Sequence, residues 1–142
     1  MPLAGKQLTY GWALALCYHV GWQRADNLQT AVAIMCAESA RYPESWHENY
    51  IGVPPDELQL VSTDWGLFQL NDKAQDLELP YDLEPIPNAT KAYEIFKARG
   101  KKFTAWAAFN SGAYEKFLPP VRDAWDIGRW KNKVDLVVKH FG

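Results

Sequence analysis

The residue with the strongest claim to chemistry is Glu38. It stands at the end of an apolar stretch in which Ile34, Met35 and Ala37 occupy the neighbouring turns. A carboxyl placed there meets two effects of the same sign. Desolvation disfavours its charged form, and the carbonyl end of a helix adds partial negative charge nearby. Both predict a raised pKa and a proton retained near neutrality, which is what a general acid needs. The alternative is a helix that simply ends at Glu38 with its carboxylate in solvent. Other chemistries fail on single residues. His47-Glu48-Asn49-Tyr50-Ile51 has isoleucine where a metalloprotease helix needs its second histidine. Cys17 and Cys36 form no CxxC or Cys/His cluster, so neither a metal nor another cofactor is expected. Both cysteines read as small core residues, with a bridge between them left open.

Glu38 keeps company with three short runs: Cys36-Ala37-Glu38-Ser39, Asp64-Trp65-Gly66-Leu67-Phe68-Gln69 and Ala108-Phe109-Asn110-Ser111-Gly112. Each alone is a few residues of common type. In this order, over about residues 28–115, the set resembles the lysozyme-like superfamily, in particular the phage and bacterial soluble lytic transglycosylases. Their pattern is Glu-Ser at a helix end, then Gly-Leu-x-Gln, then Ala-Tyr-Asn-x-Gly. The resemblance implies Glu38 as the general acid that protonates a leaving glycosidic oxygen. It implies Ser39, Gly66, Leu67, Gln69, Phe109 and Asn110 on the substrate side, with Asn110 touching sugar or orienting Glu38. Without the other motifs, Gly66 reads as an ordinary turn glycine and Asn110 as a helix cap.

Two departures bear on mechanism. Phe109 stands where the transglycosylase pattern has tyrosine, removing a hydroxyl that could bond the acid. The run from Ser62 to Asn71 is similar to the Ser-Thr-Asp-Tyr-Gly-x-x-Gln-Ile-Asn segment of animal-type lysozymes, whose aspartate is the second catalytic carboxylate. The resemblance gives that role to Asp64; its own residue context also fits an Asx-turn before Trp65-Gly66. Hydrolysing glycosidases usually carry two carboxyl groups about 5–5.5 Å or 6.5–9.5 Å apart, a rule for which lysozyme is itself the type case. A transglycosylase manages with one, because the sugar's own C6 hydroxyl closes on the anomeric carbon. The departures lean toward hydrolysis. Of the seven tryptophans, Trp46, Trp65 and Trp106 fall beside the motifs and could stack on pyranose rings. Trp12, Trp22, Trp125 and Trp130 fit the core better.

The elements that must hold these residues are mostly helical. Residues 7–19 carry an apolar helical pattern, and Asp26 with Gln29 has the spacing of a capping box. From Leu28 to Ala37 both sides of the next helix are apolar, the mark of a buried central helix. Pro43 predicts its end near Arg41-Tyr42. Residues 43–61, with Pro43, Pro54 and Pro55, read as a long irregular stretch, and 62–71 as a short strand and turn. A helix is expected from Asn88 to about Arg99, ending at Gly100. Another follows over Phe103–Phe109, broken at Gly112. Short helices on either side of Pro119-Pro120 and a last one over 131–140 complete the chain. The fold class is mainly α, an α+β lysozyme-like bundle around a buried central helix, with a small irregular or β element at about 43–72.

Composition narrows the rest. With 142 residues, 48% hydrophobic, 14% aromatic and net charge −2, the chain reads as one domain spanning 1–142 and not as a disordered segment. The charge balance argues against a nucleic-acid partner. No apolar run reaches the ~20 residues of a membrane span. Arg129, Lys131, Lys133 and Lys139 read as a solvated face. Gly11–Cys17 lacks a cleavage site and reads as a buried first helix rather than a leader, so export by another route, as for a phage lysis or virion-associated enzyme, is the expectation. The expected partner is peptidoglycan, met by a monomer. The competing classes are a lysozyme-like binding module without catalysis and a purely structural helical protein.

Overall fold

Thr9 starts the first helix: its hydroxyl accepts a hydrogen bond from the Trp12 N–H at 3.2 Å. In the computed structural model, which describes residues 4–52 and 58–142, this helix, α1, spans Tyr10–Val20. Its Ala13–Cys17 stretch is fully buried. Helix α2, Ala25–Ser39, is buried without interruption from Ala31 to Cys36, as a core helix apolar on all sides requires. Asp26 is not its cap. Arg24 holds the capping position, and Asp26 lies in the first turn, where its carboxylate accepts the Asn27 N–H at 2.8 Å and favours the helix dipole. The helix ends two residues before the expected Arg41, because Ala40 and Arg41 both take left-handed backbone (φ 51° and 64°). Arg41 is held there by Leu8, whose N–H donates to the Arg41 carbonyl and whose carbonyl accepts from Nε.

The stretch expected to be irregular contains a strand. β1, Trp46–Ile51, pairs antiparallel with β2, Gln59–Trp65, which pairs in turn with β3, Leu70–Asn71. β1 carries little hydrophobic alternation because four of its six residues are exposed, so period-two patterning was never available to reveal it. Pro54 and Pro55 lie outside the described residues. The register sets His47 opposite Asp64, Asn49 opposite Ser62 and Asn71 opposite Asp64.

Helix α3, Pro85–Ala98, starts three residues earlier than expected. Pro85 and Pro87 fall in its first turn, where a missing N–H costs nothing. Asn88 is therefore inside the helix, and it is completely buried. The helix expected over Phe103–Phe109 shrinks to α4, Ala107–Asn110. A short 3₁₀ helix, Glu115–Phe117, precedes Pro119-Pro120, and the helix expected after them starts one residue ahead of them. Both prolines sit in the first turn of α5, Leu118–Ile127, for the same reason as in α3. A 3₁₀ segment, Arg129–Leu136, leads into α6, Val137–Phe141. Phe68, Phe96, Phe103 and Trp106 gather around Trp22 or one another with ring centroids 4.5–6.2 Å apart. Cys17 and Cys36 are buried free thiols, and Arg41 Nη1 approaches the Cys36 sulfur at 3.4 Å. The fold is mainly helical with a small antiparallel sheet, an α+β arrangement.

Candidate active site

Glu38 occupies the last turn of α2, half-buried and immediately before the two left-handed residues that turn the chain away. Burial pushes its pKa up to about 7. The Ala108 backbone N–H opposes that rise, and the neighbouring charge of Asp64 adds to it. The two carboxyl groups line one cleft of about 220 Å³, together with Gln69, Asn71, Gln75, Ile95, Arg99 and Trp106. A larger cavity of about 590 Å³ lies elsewhere, between Leu8, Trp12, Pro43, Leu83 and Phe141. It includes neither Glu38 nor Asp64, so size alone is a poor guide to the chemistry here.

Asp64 has the opposite kind of environment. Asn49 Nδ2 donates to one of its oxygens at 3.2 Å and Asn71 Nδ2 to the other at 2.9 Å. Both amides also reach Ser62 Oγ, at 3.1 and 3.0 Å. Three strands thus hold a single carboxylate from both sides, with each oxygen oriented by its own donor. Asp72 braces the arrangement, accepting the Thr63 N–H at 2.9 Å and the Trp65 indole N–H at 3.3 Å. None of Asn49, Ser62, Asn71 or Asp72 carries a role in the sequence reading. Their signal is the strand register, which needs β1 to be recognised first.

The other expected site residues fall into separate places. Gln69 lines the cleft, but its amide nitrogen donates to the Ser45 and Gly66 carbonyls at 3.1 and 3.0 Å, leaving only Oε1 for a ligand. Gly66 is buried at φ 78°, and a Cβ there would collide with the Asn88 amide. Its close approach is therefore to Asn88, not to the cleft. Leu67 is a completely buried core residue. Ser39 is also completely buried, its hydroxyl donating to the Met35 carbonyl. Phe109 packs between Phe103 and Tyr114. Asn110 is exposed and donates to the Thr104 carbonyl at 2.9 Å, bracing the turn before α4.

Trp106 lines the cleft yet is 5% exposed, with its indole N–H fixed on the Phe68 carbonyl, so it belongs mainly to the core. Trp46 and Trp65 sit opposite one another on β1 and β2, half-buried and outside the cleft lining. Among the described residues no group of three or more His, Cys, Asp or Glu could hold a metal ion.

The family model for a lysozyme-like domain matches residues 14–108 of this sequence. The chain belongs to that family. The matched span runs from within α1 to within α4 and contains Glu38, the whole sheet and the cleft-lining residues. No curated protein and no solved structure matches the chain. As a lysozyme-like domain it is a peptidoglycan-acting protein, of the glycosidase or lytic transglycosylase class. Among the described residues no helix of this lysozyme-like domain is long and apolar enough to cross a membrane.

Proposed function

We propose that this chain hydrolyses the β-1,4 bond between N-acetylmuramic acid and N-acetylglucosamine in peptidoglycan. Glu38 is the general acid and Asp64 the second carboxylate. One observation carries the reading: the two carboxyls share a cleft while their surroundings differ. Glu38, pushed up to about 7 by burial, keeps a proton for the leaving oxygen. Asp64, gripped by two amide donors, presents acceptor oxygens to a developing positive charge. Divergent environments for paired carboxyls mark acid and base assignments, a rule drawn in part from lysozyme itself.

In the reaction the Glu38 proton moves to the glycosidic oxygen as the C–O bond breaks, and Asp64 faces the oxocarbenium-like sugar. Water then supplies hydroxide to the anomeric carbon and returns a proton to Glu38. Gln69 offers its free Oε1 to a sugar N–H or O–H. Gly66, Leu67 and Ser39 are buried outside the cleft lining and act only through packing, and Phe109 and Asn110 fix the α4 turn whose Ala108 N–H meets Glu38. Residues 1–142 act as one catalytic domain, because α5 and α6 pack on α1, α2 and α3 instead of building a core of their own.

Clearing of a purified wall suspension tests the reading. Glu38→Gln is expected to lose about 10²–10⁴-fold in rate. Mass spectrometry of the products should find free reducing muramic ends. 1,6-Anhydromuramic ends, or an Asp64→Asn variant of nearly full activity, would assign the lytic transglycosylase route through Glu38 alone. Equal clearing by wild type and Glu38→Gln would remove the enzymatic assignment.

A further inference from the structure

Among the described residues, the cleft that holds the two carboxyls is lined by one cationic side chain, Arg99. It sits at the C-cap of α3, four residues beyond Ile95, so the two project from the same helix face into the cleft. The cation four residues before Ile95 on that face, Lys91, is already committed. Its ammonium donates to the Asp76 carbonyl at 2.6 Å and pairs with Asp82 at 3.7 Å. Arg99 is exposed and, among the described residues, makes neither a side-chain hydrogen bond nor an ion pair. Nor does it hold down the acid: the influences on Glu38 are burial, the Ala108 N–H and Asp64.

Directly after Arg99, Gly100 and Lys101 both take left-handed backbone (φ 72° and 61°). This reversal brings residues 105–107 back along the cleft and leaves Lys101 and Lys102 exposed beside it in sequence. A lysine at positive φ is uncommon and marks a turn fixed by its surroundings. An uncommitted guanidinium fork at the rim of a sugar-sized cleft is built for a planar anion. In a glycan of N-acetylglucosamine and N-acetylmuramic acid, the sugars are neutral, and negative charge resides on the muramyl substituent.

We propose that Arg99 is a specificity-determining residue that takes a carboxylate carried on the muramyl residue, either the lactyl carboxylate itself or one of the attached stem peptide. This rests on the peptidoglycan reading above and deepens it. Arg99 makes the cleft distinguish a muramyl-containing strand from a neutral polymer of N-acetylglucosamine, a choice that the two catalytic carboxyls cannot make.

Calorimetric titration of a Glu38→Gln protein, which binds without turnover, provides the test. The ligands are a neutral chitooligosaccharide, peptide-free glycan strands with bare lactyl groups, and soluble peptide-bearing strands. Adding Arg99→Gln should lower the ratio of anionic to neutral affinity about tenfold, the scale of one charge-assisted bidentate contact. Arg99→Lys should recover part of it. About 0.5 M salt should shrink the ratio wherever Arg99 is present. Loss confined to the peptide-bearing ligand identifies the stem peptide as the source, and loss confined to the peptide-free strands identifies the lactyl carboxylate, which the peptide-bearing strands carry as an uncharged amide; loss on both shows that Arg99 takes either carboxylate. An unchanged ratio in both Arg99 variants overturns the proposal, even if the wild type cleaves wall material. If no ligand binds and none is cleaved, the proposal falls together with the peptidoglycan reading.

Discussion

At the scale of single residues, the role proposed for Glu38 sets function against stability. Its folded-state pKa of about 7 stands above the ordinary value of 4.5, so between those pH values the native state holds a proton that the unfolded chain releases. Stability attributable to Glu38 is fully present below about pH 4.5 and falls as the pH rises through 7. Above that the charged carboxylate costs about 2 kcal/mol, allowing for the water that still reaches a half-buried group. Glu38→Gln should therefore unfold at higher denaturant than wild type at pH 8, and the gap should close toward zero at pH 4. Denaturant melts of both proteins across that range measure it. A gap independent of pH would mean that the carboxyl is not held in a dry niche. This residue was legible in the sequence because its cause is local, an acid on the last turn of an apolar helix. Asn49 and Asn71 were not, since what makes them matter is a partner on another strand.

At the scale of elements, the resemblance implies Gly66 on the substrate side, whereas the neighbour it approaches within the fold is Asn88. The Trp65–Gln69 turn is fastened to α3 through Asn88. The Asn88 Oδ1 accepts the Phe68 N–H at 3.0 Å, and its Nδ2 donates to the Trp65 and Asp82 carbonyls at 3.1 and 2.9 Å. Gly66 is glycine because that amide passes where a Cβ would stand. A sequence pattern places glycine, sugar groove and turn together, yet only packing decides whether the close neighbour is ligand or protein. Asn88 looked like a helix start since Pro85 and Pro87 precede it, whereas prolines are tolerated throughout a first turn. Asn88→Ala would strand three buried backbone groups at once. The expected cost is about 3 kcal/mol, with Tm falling by about 10 °C and activity falling with it as β2 and β3 lose their anchor. Thermal melts followed by near-ultraviolet circular dichroism check this. A shift below about 2 °C would show that water replaces the amide without loss.

For the whole molecule, the family match ends at residue 108, but the core does not. Beyond that point Val121, Trp130 and Val137 are buried, at 0%, 4% and 0% exposure. They belong to the same cluster as Ala13–Cys17 of α1 and Leu28–Cys36 of α2. Trp130 reads as a core residue in the sequence and is one, whereas Val121 and Val137 do not stand out there, because α5, the 3₁₀ segment and α6 are short and parted at Gly128, leaving no long periodic face. Each such side chain contributes about 1.5–3 kcal/mol on burial, so the three together approach the 5–15 kcal/mol that stabilises an ordinary domain. A chain cut after Gly112 retains Glu38, Asp64 and the entire sheet, so a motif-based view would expect it to work. The packing predicts the reverse: near-native helix content, loss of a cooperative thermal transition, dye-accessible apolar surface and no wall clearing. Calorimetry and dye binding on that truncated protein decide between the two. A sharp transition near the full-length Tm would show that the core closes without α5 and α6, and that the catalytic fold is confined to the matched span.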